Sequence, residues 1–305
     1  MKIRIQHQTI YRYAEKVAFG QHRIMLRPRE GHDIRIEQSM LEITPAHAIR
    51  WLRDVYGNSI AVVDFHERAS QLSVYSEVLL QHFDINPFDF YIESEAIRYP
   101  FSYSPEALLE LSSLLVPAYP EDTPTVRDWL GQFWKPGQTT GTLDLLQNIN
   151  RHINQRFQYY IRNEPGVQSP RQTLAKGSGS CRDFATLLIE ACRSLGLGAR
   201  FVSGYILAGG ATGAGSSTHA WAEVYLPGGG WKGFDPTSGL LTTSQHVPIA
   251  VSRHPENATP ISGSFLGPAS AYLGTDVNVR VTEEGLPSDS AQPIAFQSRL
   301  AHQIR

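Results

Sequence analysis

Residues 177–196 read GSGSCRDFATLLIEACRSLG, and this stretch holds both cysteines of the chain, Cys181 and Cys192. Ser180 is a good N-cap residue, and Asp183 falls at N3 as in a variant capping box. Gly196 suits the position just past a helix end. Phe184, Leu187, Leu188, Ala191, Cys192 and Leu195 recur at helical spacing, so the segment predicts one helix over 181–195 with a single apolar stripe. Cys192 sits in the middle of that stripe and reads as a small buried hydrophobe. Cys181 is different. It occupies the first turn, where free backbone N–H groups and the positive end of the helix dipole converge, and both favour a thiolate. On one helix the two cysteines lie about 16 Å apart, beyond the ~7 Å between Cα atoms that a disulfide tolerates. No CxxC pair is present to suggest a cysteine zinc site.

A thiolate nucleophile needs an imidazole partner and a group to orient that imidazole. Of the 11 histidines, His219 stands out by context. It opens HAWAEVYLPGGGWKGFDPT, residues 219–237, which reads as two strands around a glycine-rich turn. His219, Trp221, Glu223 and Tyr225 share one strand face. Asp235 ends the second strand, and Pro236-Thr237 stops it. An even connection pairing Pro227 with Gly230 turns Asp235 away from His219. A register pairing Tyr225 with Trp231 puts Asp235 opposite Trp221, diagonal to His219 and on its face. The spacing therefore predicts an odd loop or a bulge within 226–231.

The rest of the chain sets the context. Its 305 residues are 41% hydrophobic and 18% charged with a formal net charge of −2, enough apolar material for a large core and no basic excess to neutralise a polyanion. The N-terminus lacks the apolar run of a secretory signal, and no segment approaches the ~18 apolar residues that span a bilayer, so a cytoplasmic protein without nucleic-acid or membrane partners is expected. Residues 1–103 read as a β-rich domain, with period-two alternation in IRIQHQTIYRY and a hairpin signal at Gly57-Asn58. RIMLRPRE brings Arg23, Arg27 and Arg29 together, as a solvated strand or a partner patch. From Ser104-Pro105 the texture becomes helical. Thr123-Pro124, Thr142 and Ser169-Pro170 mark further helix starts. Strands return after residue 200. The glycine cluster at 208–217 lacks the Lys-[Ser/Thr] of a phosphate loop and reads as a loop. Residues 104–282 form the expected second unit, and 283–305 a tail.

The block GSCRDFATLLIEACRSLGLGARFVSGY resembles the cysteine motif of the bacterial transglutaminase-like superfamily. HAWAEVYLPGGGWKGFDPT resembles its histidine and aspartate motifs, and VPIAVSRHPENATPISGSF follows as in that family. YRYAEKVAFGQHRIMLRPR and DVYGNSIAVVDF resemble the β domain that precedes this core. The resemblance covers the chain up to about residue 282. It implies an α+β fold with a papain-like core, helices packed on an antiparallel sheet, behind a β-rich N-terminal domain. It also implies a nucleophile at Cys181, a base and acid at His219, and an orienter at Asp235. Tyr160 and Gln168 are candidates for the second oxyanion donor, and Trp221 for a wall of the acyl site. The expected activity is hydrolysis of amide bonds in a peptide or protein substrate through a thioester, with no metal and no cofactor. Transfer of the acyl group to an amine is the alternative chemistry, and a non-catalytic peptide-binding module the alternative of another class.

Overall fold

The computed structural model describes residues 1–83, 86–162, 164, 166–207 and 217–284. The chain opens with β1 (Lys2–Phe19), a long strand whose odd positions from Ile3 to Tyr13 are all buried. Next come β2 (His22–Ile24), β3 (Ile34–Thr44), β4 (His47–Arg53), β5 (Ser59–Phe65) and β6 (Ala69–His82). β1, β6 and β3 form one antiparallel sheet, and β2, β5 and β4 belong to a second. Leu72 and Val74 of β6 pack with Ala61 and Val63 of β5 in one apolar cluster between the sheets. Period-two alternation produces this directly, because each strand sends one face inward.

The helical half begins after β7 (Arg98–Tyr99). α1 (Pro105–Leu115) is capped by Ser104, whose side chain accepts from the Ala107 N–H. α2 (Thr123–Leu130) follows, then β8 (Thr140–Gly141), which pairs with β7, and α3 (Thr142–Arg156). Thr142 is the first residue of α3 and not its cap. Its hydroxyl donates instead to the Ala96 carbonyl at 2.6 Å. β9 (Gln158–Tyr159) runs parallel to β10 (Ser178–Gly179), with α4 (Pro170–Lys176) between them.

α5 (Cys181–Ser194) is the central helix. It ends as the glycine predicts. Gly196 takes φ +76°, its N–H reaches the Arg193 carbonyl, and the Leu197 N–H reaches that of Cys192, a Schellman stop. Its burial exceeds a single stripe. Residues Asp183 to Arg193 are buried all round, the polar ones included. Glu190 accepts from the N–H groups of Ala118 and Tyr119, and Arg193 donates to the carbonyls of Leu114, Ala199 and Arg253 while pairing with Glu190 at 2.7 Å. The apolar face lies on the second sheet system, β11 (Ala199–Ile206), β12 (Ser217–Leu226), β13 (Gly230–Asp235), β14 (Leu240–Leu241) and β15 (His246–Ser252), in the order β14-β13-β12-β11-β15. Each fully buried Leu or Phe on this face contributes about 1.5–3 kcal/mol.

The remaining strands return to the N-terminal half. β16 (Ile261–Ser262) pairs with β2, β17 (Phe265–Leu266) with the end of β1, and β18 (Tyr272–Glu284) with most of β1. The expected boundary at 282 thus needs correction: residues from Ile261 onward complete the N-terminal sheets, not the helical unit. The two halves also share a core. Ile3, Ile5, Val78 and Leu80 join Tyr205, Val247 and Ile249 in one apolar cluster. Among the described residues no helix is long and apolar enough to cross a membrane. The glycine cluster at 208–217 and the tail after residue 284 fall outside the described side chains.

Candidate active site

Cys181 starts α5 and is partly exposed, whereas Cys192 is fully buried. The start of the helix is held by Asp183, a buried carboxylate that accepts from the Ser180 N–H and hydroxyl at 2.8 Å each, from the Gln168 N–H at 2.7 Å, from the Gln168 side-chain amide at 3.2 Å and from Arg162 Nε at 3.0 Å. Burial raises the Asp183 carboxyl, and these donors more than offset it, leaving it below its ordinary value. Gly179 is required here. A Cβ on it would sit 2.8 Å from that of Asp183 and 3.0 Å from the Gln168 amide.

His219 and Asp235 come from neighbouring strands. Leu226 pairs with Gly230 and Tyr225 with Trp231, so the connection is the three-residue loop Pro227-Gly228-Gly229. Gly228 and Gly230 take positive φ of 79° and 70°, which glycine adopts without strain. The odd length turns Asp235 to the His219 face, and His219 Nε2 lies 3.1 Å from Asp235 Oδ2. The Thr237 N–H donates to the other oxygen at 2.9 Å.

The electrostatics link these three side chains. Burial pushes the Cys181 thiol up, but the hydrogen bond and charge of His219, aided by Arg182, bring it down overall. Burial disfavours a charged His219. The Asp235 carboxylate and the Cys181 thiol outweigh it and carry the imidazole well above its ordinary value. Burial also acts against the Asp235 carboxylate, which His219 and His246 hold well below the usual range. This is the pattern of a thiolate–imidazolium pair over a buried carboxylate. Cys192, by contrast, is pushed up to about 12 by burial.

The other expected residues lie elsewhere. Tyr160 is more than a third exposed, and its N–H is bonded to the Gly179 carbonyl. Its neighbour Tyr159 is the tyrosine at the thiol. Tyr159 pairs with Gly179 across β9 and β10, its ring meets Phe184 edge-on, and burial together with the neighbouring Cys181 sulfur pushes its hydroxyl up from its ordinary value. Side chains alternate along a strand, so one residue decides which tyrosine faces the site. Gln168 is not free to donate to an oxyanion, because its amide is engaged by Ser178 and Asp183. Trp221 is 2% exposed and does not wall an open site. Its ring lies across Gly204, where a Cβ would stand 2.4 Å from it, and meets His246 edge-on at 5.3 Å. Glu223 pairs with Arg200 at 2.7 Å. Arg29 turns inward to Tyr56 and Asn58, so the arginine cluster is not one open patch.

His246 escaped the sequence reading. It begins β15, and its Nε2 lies 3.4 Å from Asp235 Oδ2, the oxygen that His219 also uses. Nothing in TTSQHVPIAV distinguishes it from a strand histidine, because its partner arrives from β13, with two other strands between them in the sheet. Among the described residues His219, Asp235 and His246 form the one group close enough to hold a metal ion. Its proton pattern does not suit one. The Thr243 N–H donates to His246 Nδ1 at 3.2 Å, which leaves the ring proton on Nε2, facing the carboxylate, where a metal would need a lone pair.

Comparison with known proteins agrees with this architecture. Residues 3–81 match the bacterial transglutaminase-like N-terminal region, and residues 134–236 match the transglutaminase-like superfamily. An uncharacterised protein of Mycobacterium tuberculosis is 28% identical over 283 residues, covering 86% of this chain and 87% of its own. An uncharacterised protein of Mycobacterium leprae is 24% identical over 303 residues, covering 92% and 98%. A crystal structure from Cytophaga hutchinsonii, provisionally described as a cysteine protease, superposes with a TM-score of 0.71 at 19% identity over 98% of this chain and 95% of that one, which establishes a shared fold. With an N-terminal β region and a core that each match, and a solved fold that spans both, the chain carries a transglutaminase-like core behind a bacterial transglutaminase-like N-terminal region.

Proposed function

We propose that the protein is a cysteine-based hydrolase acting on amide bonds of peptides or proteins, with Cys181 as nucleophile, His219 as acid and base, and Asp235 as orienter. The observation that carries this reading is the placement of the His219 imidazole between the Cys181 thiol, at a helix N-terminus, and the Asp235 carboxylate, 3.1 Å from its Nε2. The Cys181 thiolate attacks the carbonyl carbon of the amide. The developing oxyanion meets the Cys181 N–H, a first-turn donor with no place in the helical ladder. As the C–N bond breaks, the His219 imidazolium gives its proton to the leaving amine, and a thioester remains. Water then attacks the thioester and gives its proton to His219, releasing the acid and restoring the thiolate. Asp235 holds His219 with Nε2–H toward the carboxylate, so that Nδ1 faces the sulfur. Tyr159 supports the reading as a tyrosine hydroxyl whose titration the same sulfur influences.

The test is mass spectrometry of a peptide mixture incubated with the protein and a primary amine. Cleavage or deamidation dependent on Cys181 is expected, and amine incorporation in their place would assign acyl transfer to an amine. Iodoacetamide should label Cys181 and spare Cys192. Preferential labelling of Cys192, or full amidase activity in Cys181→Ala, would overturn the assignment.

A further inference from the structure

Asp235 Oδ2 is an acceptor for two imidazoles, His219 Nε2 at 3.1 Å and His246 Nε2 at 3.4 Å, while Oδ1 takes the Thr237 N–H. His246 is buried, and its orientation is set from behind. The Thr243 N–H donates to its Nδ1, and its own N–H donates to the Thr243 carbonyl at 2.9 Å. The Trp221 ring packs against both histidines. A neutral imidazole that accepts at Nδ1 must carry its proton on Nε2. The proton therefore points at the carboxylate from a fixed ring.

We propose that His246 is a positioning residue for the Cys181–His219 pair: by donating Nε2–H to the carboxylate oxygen that His219 also uses, it sets how much of that carboxylate's charge His219 receives. The inference rests on the reading of Cys181 and His219 as a thiolate–imidazolium pair. The charged and titratable groups facing the site are Cys181 and Arg182 from α5, Tyr159 from β9, His219 from β12, Asp235 from β13 and His246 itself from β15. Each donor to a carboxylate draws off negative charge that would otherwise stabilise the neighbouring cation. Removing the His246 donor, with Thr237 still anchoring the other oxygen, leaves His219 the sole imidazole on Oδ2. The imidazolium then persists to higher pH.

The experiment is the pH dependence of iodoacetamide alkylation at Cys181 in the full chain, read by mass spectrometry. Wild type should show a reactive thiolate well below the ordinary thiol range, with a second, alkaline limb where His219 loses its proton. In His246→Leu that limb should move up by roughly half to one pH unit. In His246→Gln, whose amide N–H can reach the same oxygen, it should return toward the wild-type position. A His246→Leu limb that does not move overturns the inference while leaving the proposed function intact. A wild-type profile with one transition near the ordinary thiol value overturns the proposed function instead. If His246→Leu does not fold, long-range 1H–15N spectra of the wild-type histidines decide the matter: a neutral His246 protonated on Nε2 is required, and protonation on Nδ1 overturns the assignment.

Discussion

At the scale of single residues, Asp183 does more than the capping box suggests. A first-turn acid at N3 reaches back to its N-cap in many helices, but this carboxylate also collects Gln168 and Arg162 and so joins β10, the loop after β9 and the helix start that carries Cys181. An amide can accept at only one of its two terminal atoms, so Asp183→Asn should cost about 3–5 kcal/mol, the scale for removing one partner of a buried charge network. The pH dependence has a definite sign. The folded Asp183 carboxyl lies below its unfolded value, so its contribution is present above the unfolded value near ~4 and fades as pH falls through the folded one. Urea unfolding of wild type and Asp183→Asn should therefore differ most at neutral pH and converge in acid. Cys192 makes the contrasting case: an apolar position where Cys192→Ala should cost stability and leave Cys181 alkylation unchanged.

At the scale of elements, the site depends on how β11, β12 and β13 align. His219 faces Gly204 across the β11–β12 pair, and the Trp221 ring fills the space above that glycine. A methyl group at 204 would stand 2.4 Å from both the Trp221 ring and the Val247 carbonyl. Gly204→Ala should lower stability by about 1–3 kcal/mol, the range for overpacking a filled site, measurable by thermal melting. Because Trp221 also abuts His219 and His246, the same variant should slow alkylation of Cys181. Gly228 and Gly230 serve the backbone instead, their positive φ making the three-residue turn.

At the scale of the whole molecule, the N-terminal half is part of the same structure as the site. β1 contributes Ile3 and Ile5 to the core around α5 and Tyr11 and Tyr13 to the core between the N-terminal sheets. His7, between those pairs, is buried and meets the Tyr205 hydroxyl at 2.9 Å. Tyr205 stands in β11 beside the glycine that faces His219. Burial lowers His7 to about 4, so between pH ~6.5 and 4 the unfolded chain binds a proton there that the folded chain refuses. Stability contributed above that window is lost as pH falls through it, on the order of 3 kcal/mol at full extent. His7→Gln should show a flatter stability profile between pH 4 and 6.5 in urea titrations. A fragment beginning near residue 104 should fail to fold by itself, as judged by its circular dichroism and aggregation, because it lacks β1 and β6.

The α5 helix, its caps, the distinct environments of its two cysteines and the odd β12–β13 turn were all legible in the sequence. Each depends on contacts within a few residues or on strand periodicity, and such patterns are written locally. The proximity of His219 and Asp235 was legible for the same reason, since one short hairpin joins them. What only the tertiary structure decided involves partners far apart in the chain. Tyr159 faces the sulfur in place of Tyr160 because β9 pairs with β10. Gln168 is engaged by Asp183 because both are buried behind the helix start. The C-terminal strands join β1 and β2, some 240 to 280 residues upstream. His246 reaches Asp235 because packing brings the start of β15 to the end of β13, and no period or spacing in the sequence encodes that approach.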